Sequence, residues 1–361
     1  MKLIDKYILK KFLGVYLFTV LIITSVVLII HISDNAERLM RAEVSTGEIV
    51  SYYLDFLPWM ANSITPLTVF IATVFVNAKL ATRLEIVAML SNAISFRRFL
   101  MPYLIGGVLI TAISFVLGGW VIPDINKSKT AFEIAYLNKK AEYNISNIHM
   151  QIAKDTYLYV RGYDSLSNTG TQFTLERILG TELVEKLSAR DMTWLEDQQK
   201  WRLSNWRSYS VGDLEENVIK GSFLDTALNV SPKDFEAHSY NHEGLTMTEL
   251  DSEILKLHSR GALNVVVYEV EKYMRYALPF AALILTVLGV FISSKKARGG
   301  IGFQIALGFL LCFVYIIFYT LSKAIAENGG FSETIDAPLS VWLPNAVFAT
   351  ITVIIYRYVP R

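Results

Sequence analysis

Residues 12–32, FLGVYLFTVLIITSVVLIIHI, run for twenty-one positions without a formal charge. A helix needs about 20 predominantly apolar residues to cross a bilayer core. Lys2, Lys6, Lys10 and Lys11 precede the stretch, as they would a signal peptide. It is too long for a signal-peptide core, however, and no small-x-small cleavage site follows it, so it reads as a retained first span. Working outward, five further stretches meet the same test: 54–78, 101–122, 273–293, 301–322 and 341–359. The second of the six contains Pro58, Asn62, Thr65 and Pro66. Such residues are tolerated in a span where neighbouring helices cover the freed backbone groups, so this one is expected inside a bundle.

The rest of the composition agrees. The chain has 361 residues, 53% of them hydrophobic and 19% charged. That is too apolar for a soluble domain and too charged to lie wholly in lipid, so a water-facing region must exist. A formal net charge of +1 argues against nucleic acid as a partner. The single cysteine, Cys312, falls in the fifth apolar stretch. One cysteine excludes an internal disulfide framework and every multi-cysteine metal motif.

Orientation follows from the short loops. Thirteen Lys and Arg residues sit at the N-terminus (Lys2, Lys6, Lys10, Lys11), in the second connection (Lys79, Arg83, Arg97, Arg98), in the fourth (Lys295, Lys296, Arg298) and in the tail (Arg357, Arg361). The opposite short loops hold Arg38, Arg41 and Lys323. The basic side is cytoplasmic, which puts both termini inside and the long segment 123–272 outside.

That segment begins as a continuation of the third helix past Pro123. Its pattern then changes to short alternating runs such as TYLYVR (156–161) and TQFTLERIL (171–179), separated by polar turn clusters. Such spacing predicts an antiparallel sandwich or jelly roll. Trp194, Trp201 and Trp206 are spaced seven and five apart, which places them on mixed faces of the strands. Residues 246–259 read as a helix that returns to the membrane, with Thr248 and Asp251 as its capping pair. The expected fold is therefore membrane α-helical, with six spans and an inserted all-β, jelly-roll-like domain. Its parts are 1–122, including a loop at 79–100, then 123–272, then 273–361.

The sequence has no GxxxxGK[ST], HExxH, GxSxG or CxxC. No catalytic group, cofactor or metal site is expected. His238 and His242 have helical ligand spacing, but their surroundings read as loop. The loop at 79–100 is more informative. It is longer and more apolar than a simple return, and Glu85, Ile86, Met89 and Leu90 share one face of a short helix. Docking into a partner's groove and lying on the lipid surface fit this pattern equally well. At the outer end of the first span, His31 is followed by Asp34, Arg38 and Arg41. This is a boundary cluster that needs no function, or a contact for an anionic headgroup.

Several segments, in order, resemble the LptF/LptG (YjgP/YjgQ) permease family. They are Leu3-Ile-Asp5-Lys6-Tyr7-Ile8, then Lys79-Leu80 through Glu85-Ile-Val-Ala-Met89, then Val121-Ile-Pro123 with Asn126. Leu245-Thr-Met-Thr-Glu-Leu250, Arg260-Gly261, Arg275-Tyr-Ala-Leu-Pro279 and Lys295 to Gly302 follow. Glu327-Asn-Gly-Gly330 and Trp342-Leu-Pro-Asn345 complete the series. The opening leans toward the LptG side. There are two departures. Ala93 stands where the family's coupling loop usually has Gly, and His31 stands where a relative carries Lys.

The resemblance implies a subunit of an ABC transporter in the bacterial inner membrane. Its partners would be an LptB-like ATPase dimer, a second six-span LptF- or LptG-like permease, and LptC/LptA-like periplasmic jelly-roll proteins. Its cargo would be lipopolysaccharide, taken from the membrane lipid. Glu85, Ile86, Met89 and Leu90 would couple to the ATPase. The spans 12–32 and 301–322 would line the cavity. His31, Arg38, Arg41 and Arg275 are the candidates for headgroup phosphates. A permease for another lipid or lipoprotein, and a membrane sensor or scaffold with a ligand-binding β domain, are the alternatives.

Overall fold

A computed structural model of the chain describes residues 3–42, 44–137, 145–164, 167–180, 182–211, 216–232, 235, 241–259, 265–294, 300–327 and 337–357. It divides into two compact units: Met1–Phe132 with Glu269–Arg361, and Glu133–Tyr268.

In the first unit, α1 (Leu3–Arg41), α2 (Thr46–Ser63), α3 (Thr65–Thr82), α4 (Glu85–Ser91) and α5 (Phe96–Val116) follow in order. A π-helical turn, Leu117–Val121, joins α5 to α6 (Ile122–Tyr136). After the second unit come α8 (Val265–Ser293), α9 (Gly300–Glu327) and α10 (Ala337–Tyr356). Among the described residues, six helices are long and apolar enough to cross a membrane.

The second apolar stretch differs from expectation. It is two helices, α2 and α3, that meet at Ile64 (φ −92°, ψ 3°), and the membrane-length helix is Thr65–Thr82. Pro66 has no N–H to donate and disfavours helical backbone at the residue before it. Hydroxyls serve the carbonyls at the break: Thr65 Oγ1 donates to Ala61 O at 3.0 Å and Thr68 Oγ1 to Ile64 O at 3.1 Å. Pro123 has a related effect. The helix continues through it, as expected, but the turn before it widens to π geometry, which relieves the clash of the ring with the carbonyl four residues back.

Helix α3 is the centre of this unit. Val69, Ala72, Val76 and Leu80 pack with Ile8 and Phe12 of α1 and with Phe99 and Tyr103 of α5. Phe70 and Val74 meet Leu285 and Leu288 of α8, Cys312 and Tyr315 of α9, and Phe348 of α10. Buried polar side chains tie helices together, as is common where lipid supplies no driving force for association. Ser114 Oγ donates to Asn62 Oδ1 at 2.7 Å. Tyr315 donates to Asn345 Oδ1 at 2.9 Å, and Asn345 Nδ2 donates to Ala277 O at 2.8 Å.

The second unit contains one antiparallel sheet: β1 (Ile145–Ala153), β2 (Thr156–Asp164), β3 (Thr169–Leu179), β4 (Glu182–Leu195), β5 (Lys200–Val211) and β6 (Glu216–Thr226). Each strand pairs with its chain neighbour, an up-and-down meander rather than an interleaved order. Alternation is not continuous along the strands. Val160 and Tyr163, and likewise Ala189 and Met192, lie three apart and are both buried on one apolar cluster. The phase slips along a line through Arg161, Gln172, Arg190 and Asn205, which stand opposite one another in the register. Gln172 (φ +52°) and Asn205 (φ +51°) have left-handed backbone there.

This slip corrects the reading of the tryptophans. Trp201 and Trp206 are an odd number of residues apart, but the distortion at Asn205 returns Trp206 to the inner face. Trp194, Trp201 and Trp206 all contact the same core. Trp201 is fully buried, and its Nε1 donates to Val230 O at 2.7 Å.

Helix α7 (Met247–Ser259) follows the sheet. Its capping box is formed by Thr246 and Glu249, not by Thr248 and Asp251. Thr246 N donates to Glu249 Oε2 at 2.8 Å, and Glu249 N donates to Thr246 Oγ1 at 3.4 Å. The segment TMTELD holds two overlapping capping frames, and the glutamate has the longer reach back to the cap.

Candidate functional site

The connection between α3 and α5 is built around α4. Leu84 begins it in left-handed backbone (φ +61°) and Ala93 ends it in the same region (φ +59°). Ala93 N donates to Leu90 O at 3.1 Å and Ile94 N to Met89 O at 3.2 Å, the paired bonds of a Schellman ending. The turn therefore adopts the conformation for which glycine is usual, with alanine in place.

The apolar stripe of α4 points into its own chain. Ile86 is 2% exposed and belongs to the core shared by α1, α3 and α5; Met89 and Leu90 pack against that core. Leu84 and Val87 are exposed instead. Ile86 is therefore held by its own chain, while Met89 and Leu90 are half-buried and keep part of their surface open. Glu85 is partly exposed, and its Oε2 accepts a hydrogen bond from Tyr7 at 3.3 Å. Arg98 Nη2 lies 3.9 Å from Asp5 Oδ2. Ile4, Asp5, Ile8, Met89, Ile94, Arg98 and Phe99 enclose a cavity of about 210 Å³ between the start of α1 and this loop.

His31 sits against α2. Its ring centroid is 4.6 Å from that of Phe56 and 5.8 Å from that of Tyr53, with Nδ1 3.4 Å from the Tyr53 hydroxyl. The sequence reading missed this contact, for which the aromatic run Tyr52-Tyr53-x-x-Phe56 is the available signal. Arg38 and Arg41 are exposed at the end of α1, Arg41 paired with Glu37 at 2.5 Å. Arg275 lies on α8, buried, with its Nε donating to Glu271 at 2.8 Å. Arg41 and Arg275 therefore already hold carboxylates of their own helix.

The spans differ sharply in burial. In the most apolar window of α3, 72% of residues are buried, and in that of α8, 61%; in α1 the share is 6% and in α9 22%. Leu17, Leu21 and Ile29 of α1 and Phe303, Phe313 and Leu321 of α9 are among the exposed apolar side chains. His238 and positions 260–261, 295–299 and 328–330, which figured in the sequence reading, lie outside the described residues.

Five membrane-length helices with a sixth, the buried α3, among them, interrupted in sequence by a sheet unit, define a multi-pass helical membrane protein. The family model for the lipopolysaccharide export system permease LptF/LptG matches residues 6–358, nearly the whole chain. The chain belongs to that family. It is also similar to a protein of Aquifex aeolicus (strain VF5) described as "Uncharacterized protein", at 23% identity over 304 residues, which cover 81% of this chain and 82% of that one.

Proposed function

We propose that the chain is one permease subunit of an ABC exporter that extracts lipopolysaccharide from the bacterial inner membrane. Both termini and α4 face the cytoplasm, and the sheet unit is periplasmic. A second six-span permease faces this one, an ATPase dimer docks at α4, and jelly-roll proteins continue the path from the sheet unit. The observation that carries the reading, within the family assignment, is the exposure of α1 and α9. They are the two least buried spans, and the resemblance makes them the cavity walls. Apolar walls suit a cargo with several acyl chains, and the apolar inner face of the sheet suits the next station on the same route.

At α4 the contact falls to Glu85 with the exposed Leu84 and Val87, while Ile86 anchors the helix to its own bundle. Arg38 and Arg41, exposed at the far end of α1, are the cations for headgroup phosphates.

Purification in mild detergent from the native host, with mass spectrometry, tests the assembly. An ABC ATPase and a second six-span permease are expected in near-stoichiometric amounts. The chain alone, in several detergents, would refute the exporter. Glu85→Arg should abolish transport-coupled ATP hydrolysis while leaving membrane insertion intact. Wild-type transport by this variant would remove α4 from the coupling path.

A further inference from the structure

One face of the sheet is turned to the apolar cluster, and half of the other is predominantly basic. On the half of the sheet whose inner face holds Val160, Phe173 and Ala189, the outer face bears Arg161, Lys186, Arg190, Arg207 and Lys220 against two carboxylates, Glu176 and Asp191. Lys186 pairs with Glu176 at 2.7 Å, Arg190 lies 3.9 Å from Asp191, and Arg161 donates to Gln172 at 3.1 Å. Arg207 and Lys220 have no acidic partner among the described residues.

These two stand directly opposite each other in the β5–β6 register. Cross-strand pairs bring Cβ atoms to about 5 Å, and like charges at that separation destabilise a sheet. Beside them the surface dips into an open groove of about 700 Å³, lined by Ser188, Arg190, Asn205, Arg207, Tyr209 and Lys220 among others, with no carboxylate. Three cations thus surround a concavity that offers hydroxyl and amide donors and no acid.

We propose that this groove binds a phosphate group. A tetrahedral dianion answers each feature of it. Its charge offsets the Arg207–Lys220 repulsion, its oxygens match the planar fork of a guanidinium, and Ser188 and Tyr209 hydroxyls supply further donors. A side-chain carboxylate has one charge and fewer acceptors, and fills less of the donor set. The phosphate is either free or borne on a lipid headgroup. The inference concerns the outer face of the sheet and does not depend on the export reading.

The test uses the full chain in neutral detergent at fixed ionic strength. Calorimetric titration with inorganic pyrophosphate is compared with titration by mixed micelles containing phosphatidic acid, and both are repeated on the R207Q/K220Q variant. The wild type should bind, and the variant should bind on the order of ten-fold or more weakly, as expected for lost charge-assisted hydrogen bonds. In chloride alone the variant should melt at a higher temperature than the wild type, because the repulsive pair is gone. The variant thereby controls for a folding defect. Tighter binding of phosphatidic acid would assign the site to a lipid headgroup, and tighter binding of pyrophosphate to a free anion. Equal affinities of wild type and variant would overturn the proposal. So would tighter binding of a hexaglutamate peptide than of either phosphate probe.

Discussion

The Tyr7 hydroxyl donates to the Glu85 carboxylate at 3.3 Å, joining the start of α1 to the start of α4 across 78 positions of sequence. The Asp5–Arg98 pair and the packing of Ile8 against Phe99 make the same connection. The loop that carries α4 is therefore fastened to the start of α1, the least buried span, as well as to its own neighbours α3 and α5.

Tyr7→Phe removes this hydroxyl, which donates to Glu85 and also accepts from Lys11 Nζ. Tyr7 is 43% exposed, so the loss to stability should be about 1 kcal/mol or less. If α1 follows α4 during ATP hydrolysis, the variant in the assembled exporter should keep its melting temperature and lose part of the substrate-stimulated ATPase rate. Unchanged stimulation would show that the Tyr7–Glu85 bond is not part of the transmission.

Ala93 occupies left-handed backbone at the end of α4 (φ +59°). A Cβ in that region costs about 1–2 kcal/mol, which glycine avoids. Glycine also loses more entropy on folding, and the two effects partly cancel. Ala93→Gly should therefore stabilise the chain by roughly 0.5–1 kcal/mol. A detergent melt that shows destabilisation would mean that the methyl group makes a packing contribution larger than the backbone strain.

Asn77 Nδ2, fully buried on α3, shares its two protons among Val290 O at 2.8 Å, Ser293 Oγ at 3.0 Å and Ser294 Oγ at 3.2 Å. Its Oδ1 is buried with no hydrogen-bond partner. Both serine hydroxyls also donate back to their own helix, to Gly289 O and Val290 O. Asn77→Leu removes the orphaned acceptor and strands no donor, so it should change stability by less than about 1.5 kcal/mol. Asn77→Asp places a charge in the same closed space and should cost on the order of 3–5 kcal/mol. Equal melting temperatures for the two variants would mean that water reaches the site.

The helical unit was legible because the length and apolarity of a span are read directly from the sequence. Its two irregularities were less so. Pro58 and Pro66 both lie in the second stretch, and only Pro66, at the start of α3, breaks it; Pro58 is carried inside α2. The α4 stripe was found by periodicity, yet periodicity gives a face and not what covers it. Ile86 is covered by its own chain. The sheet was legible as short runs with turns between them. The slip at Gln172 and Asn205 was not, since neither residue announces left-handed backbone in the middle of a strand. The Tyr7–Glu85 and Arg207–Lys220 relationships join distant segments, and without the strand register and the helix packing nothing local encodes them.

Arg202 and Asp225 are a registered pair on β5 and β6, the same two strands that hold Arg207 opposite Lys220. Arg202 Nε donates to Asp225 Oδ1 at 2.8 Å and Nη2 to Oδ2 at 2.9 Å. The Arg202 hydrogen bonds, with the charges of Arg202 and Lys200, hold the Asp225 carboxyl below its usual value. A carboxylate whose folded-state value is depressed contributes its stability fully above the unfolded value, about 3.9, and loses it as pH falls through the folded one. Wild type should therefore melt above Asp225→Asn at neutral pH, by a small margin because the pair is exposed and screened by salt. The margin should close as pH drops below about 4 and should shrink in 1 M salt. Lys220→Gln on the same strands should move the melt the other way at low salt, since it removes repulsion rather than attraction. Tryptophan fluorescence follows both, because Trp201 lies beside the pair in the β5 core. A margin for Asp225→Asn that persisted unchanged at pH 2 would mean that the residue acts through packing or strand propensity and not through its charge.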